Sequence, residues 1–369
     1  MDAPAPLDPA QHHDVARMRR HLAAGGLALL PTDTLPGLAV DVRTQDAARL
    51  LAEAKGSPAG RPFSLHLRNL AELRALVPAP PPGLAAWLHQ VLPGPWTVLL
   101  PRSWVALPSD WEWPWELVGL RLPGGSEWAA WGRQLEAPVL MSSVNRAGEP
   151  PLCGAQLADW CSERPEVLLG LPPTRVTEGK ASSIIAFDPL PRVVRDEAER
   201  SPSLPLPGLR VLCVCTGNTC RSPLAEALLK QELAAAWGIR LDQLAELGWQ
   251  VASAGTMGFG GSPISDGSRQ VAAEIGIDLA EHRSVALEDR LGQGVDLVLG
   301  MTESHLAVLP AGLHAELIDP KGRSVPDPYG APVEIYRRTL LALQEAAAAR
   351  VQALSAWPEC GQSSVTGAV

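Results

Sequence analysis

The stretch Arg210–Glu226, RVLCVCTGNTCRSPLAE, constrains this chain more than any other. Val211, Leu212, Cys213 and Val214 form an apolar run that reads as a buried strand. A loop of mostly small residues follows, from Cys215 to Arg221. Ser222 is expected as a helix N-cap, Pro223 suits the first helical position, and Leu224–Leu233 carries apolar residues at helical spacing. Strand, loop and helix in that order gather loop N–H groups and a helix N-terminus around one anion.

The side chains on this frame suggest a reaction. Cys215 leaves the strand end facing the loop centre, among backbone donors, a helix dipole and the Arg221 guanidinium, all of which favour a thiolate. Arg221 offers a planar fork for two phosphoryl oxygens. The five residues between them suffice to curl round a phosphate, and Ser222 can donate its hydroxyl to the sulfur. Attack on phosphorus requires a protonated leaving group, and Asp327, in DPYG, is the candidate acid.

The string CTGNTCRSPLAE is followed by SAG at Ser253–Gly255, DLVLGMT at Asp296–Thr302 and DPYG at Asp327–Gly330. This set resembles the low-molecular-weight protein tyrosine phosphatase family over about Leu209–Leu354. The resemblance implies Cys215 as nucleophile, Arg221 as phosphate binder, Asp327 as general acid, and Gly217, Asn218, Thr219, Cys220 and Ser222 as loop or thiolate supports. It implies no metal or other cofactor for this half. Most tyrosine phosphatases of the family carry an aliphatic residue at the position of Thr219 and an aromatic at the position of Gly330. The family's protein-arginine phosphatases resemble this chain at both, so phosphotyrosine and phosphoarginine proteins both stand as substrates. Arsenate reductases share the scaffold but need further cysteines to pass a disulfide along. After Cys220 only Cys360 follows, and Asp327 is retained. Cys220 shares a loop with Cys215 and either traps it as a disulfide under oxidation or simply packs.

The rest of the chain is too long to belong to that domain. At 369 residues with 46% hydrophobic content, two cores are expected. No apolar run approaches ~20 residues, so no membrane span is expected. The acids and prolines of Met1–Asp14 do not read as a secretory signal, and Met1–Pro9 reads as a loose leader. Six cysteines without a framework suggest a reducing cytoplasm, and a net charge of −9 argues against broad nucleic-acid binding. Trp residues gather between Trp87 and Trp160 and are taken as packing.

Asp14–Ala24 reads as a helix stopped by Gly25-Gly26, Leu27–Leu30 as a buried strand, and Asp46–Ala54 as a helix delivering Lys55. Leu84–Val91 reads as a short helix, Val118–Pro123 as a strand, Val139–Pro150 as a strand and polar turn, and Ala181–Asp188 with Pro191–Glu197 as a closing strand pair. PTDT at Pro31–Thr34, PGPWT at Pro93–Thr97, GLRLP at Gly119–Pro123, SVNRAG at Ser143–Gly148 and SSII at Ser182–Ile185 stand in an order that resembles the YrdC/Sua5 threonylcarbamoyl-AMP synthases, over about Arg17–Glu197. The resemblance implies a twisted α/β sheet over a basic nucleotide cavity. It implies synthesis of threonylcarbamoyl-AMP from ATP, L-threonine and bicarbonate, with Mg2+ accompanying ATP and tRNA-modification proteins as partners.

Lys55, Arg61, Arg121 and Arg195 can neutralise phosphates and a carboxylate, and Thr32, Thr34, Ser143, Asn145 and Ser183 can supply neutral hydrogen bonds. By resemblance, Thr34 and Ser143 lie near threonine, and Lys55, Ser143 and Asn145 near the phosphates. Two positions depart from the family: Pro36 replaces an aromatic, and Ser57 replaces the arginine of a lysine-x-arginine pair, with Arg61 where a second lysine is common. A non-catalytic binding module that regulates the phosphatase therefore stands as the second reading of this half.

The expected architecture is α/β in two parts: a YrdC-like twisted-sheet domain over 10–197, a Pro-rich linker over 198–208, a doubly wound parallel-sheet phosphatase domain over 209–355, and a disordered tail over 356–369. In the second part, Leu241–Leu247 is expected to be helical, Trp249–Ser253 and Val295–Met301 strands, Gly267–Gly276 a helix, and Glu334–Leu354 the closing helix.

Overall fold

The computed structural model describes residues 5–58, 60–145, 149–172, 179–197, 200, 204–257 and 260–359. The chain divides into two compact units, one of residues 1–78 and 88–204, the other of residues 79–87 and 205–369. The expected tail lies outside the described residues from Cys360 onward.

The first unit is a mixed sheet with helices on both faces. Its strands, among the described residues, are β1 (Ala28–Leu30), β2 (Gly37–Asp41), β3 (Ser64–His66), β4 (Trp96–Pro101), β5 (Leu117–Arg121), β6 (Val139–Ser143), β7 (Leu168–Leu169), β8 (Ser183–Phe187) and β9 (Pro191–Arg195). They run in the spatial order β7-β1-β2-β6-β3-β5-β4-β8-β9. Side chains alternate across the strands. Leu29, Leu38 and Val40 enter one core with Leu51 of helix α2 (Ala47–Ala54) and Leu157 of helix α6 (Gly154–Ser162). Ala28, Leu30 and Ala39 enter the other with Val15, Met18 and Leu22 of α1 (His12–Ala23) and with Trp128 and Trp131 of α5 (Ser126–Gly132). Helix α3 (Leu70–Leu76) belongs to this unit, and helix α4 (Leu84–Val91) has its first four residues in the second unit and its last four in the first. The leader is not loose from Leu7 onward: Leu7 is buried in the second core, and its N–H donates to Leu169 O at 2.6 Å. An apolar side chain with a satisfied amide is enough to hold so short a segment.

The second unit is a doubly wound parallel sheet in the order β11-β10-β12-β13, built from β10 (Arg210–Cys215), β11 (Gln250–Gly255), β12 (Leu297–Gly300) and β13 (Ala315–Leu317). Helix α7 (Arg221–Trp237) follows β10 and ends at Gly238 in the left-handed region. Helices α8 (Asp266–Glu274), α9 (Leu287–Leu291), α10 (Glu303–Leu306) and α11 (Val333–Leu354) fill the remaining connections. Val211 to Cys215 are all buried, as a strand covered on both faces requires. Strands added after β10 lie first on one side, β11, and then on the other, β12. The crevice at the carboxyl end of β10 is therefore the switch point where open α/β sheets bind ligands. Cys215 ends β10 at that point.

One local expectation is corrected. Ser222 is not the N-cap of α7: the helix begins at Arg221, with Cys220 at the cap position and no side-chain cap bond. The Ser222 hydroxyl is held inward by the loop, where its partners are the Cys215 sulfur and Ala254 O. The helical stretch expected over Leu241–Leu247 is present, as a 3-10 helix.

Among the described residues, no helix is long and apolar enough to cross a membrane. The Trp packing expectation holds for Trp87, Trp128 and Trp131, all 1% exposed. Trp113 and Trp115 meet edge-on with centroids 5.0 Å apart.

Candidate active sites

In the second unit, Cys215 is 2% exposed, and its Sγ lies 3.1 Å from Ser222 Oγ. Asn218 organises the loop around this pair. It sits at φ +53°, in the left-handed region that asparagine tolerates better than most residues. Its Nδ2 donates to Ser222 Oγ and to Ser253 Oγ, both at 2.9 Å, and its Oδ1 accepts from Val285 N at 2.8 Å. Its carbonyl lies 2.7 Å from His282 Nε2, which donates to it. Ser253 passes the chain on to Glu226 Oε2 at 2.7 Å. Ser222 accepts from Asn218, and its one hydroxyl hydrogen is shared between the Cys215 sulfur at 3.1 Å and Ala254 O at 3.3 Å.

Gly255 lets the strand end approach the loop: a Cβ there would stand 2.9 Å from Thr216 O and 3.1 Å from Asn218 N and from Gly217 C. Thr219 Oγ1 lies 3.8 Å from Cys220 Sγ, which in turn donates to Ser265 Oγ at 3.2 Å. Cys220 is thus packed against the N-cap of α8. The nearby Cys213 thiol is pushed well up by burial.

Arg221 is 4% exposed. Its Nη1 donates to Val325 O at 3.1 Å and its Nη2 to Asp327 Oδ2 at 2.6 Å, while its buried Nε has no partner among the described residues. A buried guanidinium with an unused N–H beside an amide-lined loop is suited to a phosphoryl oxygen. Asp327 is half-exposed at the mouth, and Tyr329 N donates to its Oδ1 at 3.2 Å. Gly330 lies at φ +73°, with open space beside its missing Cβ. Cys215, Arg221, Asp327, Asn218 and Ser222 therefore meet in one crevice, with Gly217, Thr219 and Cys220 in the same loop.

In the first unit two of the four expected cations, Arg121 and Lys55, each anchor a hydrogen-bonded group. Arg121 Nη2 donates to Thr32 Oγ1 at 3.3 Å, Thr34 Oγ1 at 2.5 Å and Asp33 Oδ1 at 2.7 Å, and its buried Nε has no partner among the described residues. Burial lowers this guanidinium, Asp33 opposes that, and the charges of Arg195 and Arg200 add to the lowering. Lys55 Nζ donates to Ser142 Oγ and Ser143 O, both at 2.5 Å, and to Asn145 Oδ1 at 3.3 Å. Ser143 Oγ also donates to Asn145 Oδ1, at 2.9 Å. Lys55 is pushed down to about 8, first by burial and second by the charge of Arg61. Arg61 itself stands exposed on its loop.

Arg195 turns to Ser182 O, at 2.7 and 2.9 Å, and Ser183 spends its hydroxyl on the backbone of Glu197. Ser183 thus closes the β8–β9 end rather than offering a free group. The Ser57 hydroxyl, where the resemblance expects arginine, is buried without a partner among the described residues.

Sequence reasoning passed over several participants. Ser253 lies inside the SAG motif but carries no role there, and His282 lies outside every motif quoted above. Asp33 lies within PTDT, next to two residues already named. Ser182 lies within SSII without having been named, whereas Ser142 carries no signal because its partner Lys55 is 87 residues away.

A four-stranded parallel sheet with this loop at its switch point defines an α/β phosphatase domain. Residues 210–357 match the family model described as low molecular weight phosphotyrosine protein phosphatase, and the chain belongs to that family. Residues 20–196 match the Sua5/yciO/yrdC family model, described as telomere recombination, so the chain is a fusion of the two domains. It is 34% identical over 137 residues to a protein-arginine-phosphatase of Geobacillus stearothermophilus, covering 35% of this chain and 84% of that protein. It is 31% identical over 153 residues to a probable low molecular weight protein-tyrosine-phosphatase, EpsP, of Ralstonia solanacearum, covering 40% and 92%. It is 28% identical over 171 residues to a threonylcarbamoyl-AMP synthase of Pyrococcus abyssi, covering 46% of this chain and 49% of that protein. The chain thus spans about half the length of that synthase.

Proposed function

We propose that the second unit removes phosphoryl groups from protein side chains through a cysteinyl-phosphate. The Cys215 thiolate attacks phosphorus, and the bond to the leaving atom breaks. Asp327, protonated at that stage, gives its proton to the leaving group. Water then attacks the thiophosphate, Asp327 takes a proton, and phosphate and the thiolate are released. Arg221 and the loop amides hold the phosphoryl oxygens throughout. The observation that carries this reading is the meeting of Cys215 with Ser222 and of Arg221 with Asp327 in a single crevice.

The favoured substrate class is phosphoarginine. Thr219 brings a hydroxyl rather than an aliphatic wall to the loop, and the space at Gly330 is open, which suits a polar guanidine. In the test, the full chain is offered phosphoarginine and phosphotyrosine peptides side by side. Wild type is expected to turn over the former faster, Thr219→Ile to reverse the order, and Cys215→Ser to abolish both. A Ser variant at the wild-type rate refutes the mechanism. An unchanged order in Thr219→Ile refutes the specificity.

For the first unit the reading is threonylcarbamoyl-AMP synthesis from ATP, L-threonine and bicarbonate, with the product passed to tRNA-modification partners. It is supported by the Lys55 and Arg121 groups and the unused Arg121 Nε. Any Mg2+ would arrive with the triphosphate. The binding-module reading is favoured by the unpartnered Ser57 hydroxyl in place of a guanidinium. Pyrophosphate release that needs both threonine and bicarbonate separates the two.

A further inference from the structure

At the mouth of the phosphate loop a contact links two elements that the proposed mechanism does not use together. Thr216, directly after Cys215, is exposed, whereas Asn218, Cys220, Arg221 and Ser222 are buried. Its side chain is therefore open to solvent beside the cradle. Its carbonyl is pinned by Met257 N at 3.0 Å, and its Oγ1 lies 3.0 Å from Nε2 of His305 on α10. His305 is 4% exposed, and its Nδ1 lies 3.1 Å from Thr302 N and 2.8 Å from Thr302 Oγ1. A backbone N–H only donates, so Nδ1 must accept, and the ring proton must reside on Nε2.

We propose that His305 is a positioning residue: fixed as the Nε2–H tautomer by Thr302, it donates to Thr216 and so presents the Thr216 hydroxyl hydrogen to the leaving group of the substrate. This inference rests on the phosphatase reading above. Burial and the charge of Arg221 disfavour the doubly protonated ring, with Asp327 opposing. Neutral imidazole thus holds one lone pair of the hydroxyl and leaves its hydrogen to point outward.

The ring occupies the third position of its helix, where glutamine is a common capping partner. Gln at this position reaches both Thr302 N and Thr216, whereas Asn retains the cap but falls short of Thr216. With an aryl phosphate and the full chain, His305→Asn and Thr216→Val are each expected to raise KM about tenfold, with kcat and inhibition by inorganic phosphate within twofold. That factor of ten is the discrimination expected of one hydrogen bond. His305→Gln is expected to restore KM to within twofold of wild type. An unchanged KM in His305→Asn, or phosphate inhibition weakened as much as KM, overturns the proposal, the latter because it would mean a distorted cradle. Ring 15N shifts of the full chain at pH 7.5, assigned by difference against His305→Asn, report the tautomer independently of activity. A proton on Nδ1 overturns the assignment even if wild type hydrolyses nothing, and an inactive wild type by itself sinks only the phosphatase reading.

Discussion

Asn218 offers the sharpest test of how the loop is held. Replacing it by alanine removes three buried hydrogen bonds, to Ser222, Ser253 and Val285. At about 1 kcal/mol each, these sum to roughly 3 kcal/mol. Alanine at φ +53° adds roughly 1 kcal/mol of backbone cost that glycine does not incur. The expected losses are therefore about 4 kcal/mol for Asn218→Ala and about 3 kcal/mol for Asn218→Gly. Because the chain has two units, a single-probe denaturation curve would mix their transitions. Urea unfolding of the full chain, read by hydrogen-exchange mass spectrometry on peptides from β10 and α7, isolates the right one. With a slope of about 2 kcal/mol per molar urea, the midpoint falls by roughly 2 M for Ala and 1.5 M for Gly. Both variants are also expected to lose turnover in native buffer, since Ser222 is no longer oriented. Shifts under about 0.3 M, or a larger shift for Gly than for Ala, would refute the reasoning.

Three further outcomes follow from the same structure. Arg221→Lys keeps a positive charge but loses the fork that reaches Val325 O, Asp327 and the cradle. A loss in kcat/KM of about 10²- to 10³-fold is expected, measured with an aryl phosphate, and a change under threefold would count against bidentate binding. Gly267→Ala places a Cβ 2.6 Å from the buried Tyr336 ring. Its thermal unfolding should come several degrees earlier, and an unchanged transition would mean that α8 shifts without cost. Lys55 has a folded value of about 8 against an ordinary 10.5, so between these values the unfolded chain holds more protons and the Lys55 contribution to stability rises with pH. On the proposed synthase reading, ATP binding needs the charge and changes the other way. Affinity by calorimetry should fall roughly eightfold from pH 7.5 to 9, and a flat profile would remove Lys55 from the phosphate site.

What the sequence disclosed, and what it hid, follows from how far apart the interacting residues lie. The strand–loop–helix around Cys215 and the closing helix α11 were legible because apolar runs, small residues and helical spacing act over neighbours. The N-terminal motifs were legible only by their order. The strands β7 and β13, two and three residues long, carry no periodicity to read. In α5, SEWAAWG, two tryptophans mask the helical pattern as readily as they fill a core.

The Ser222 correction is the more instructive case. Local propensity favours a serine cap, but Arg221 must sit in the first turn if its guanidinium is to reach Asp327, 106 residues away. The helix therefore starts two residues early, at Arg221 instead of Pro223, and the serine hydroxyl turns to sulfur. Asp33 with Arg121, 88 residues apart, and Thr216 with His305, 89 apart, belong to the same class. In each, the sequence displays a residue able to donate or accept, and only the sheet order decides which partner it meets. Positions where local preference is overruled are therefore the positions where the fold places its chemistry, and Ser222 and Asn218 show this within a single loop.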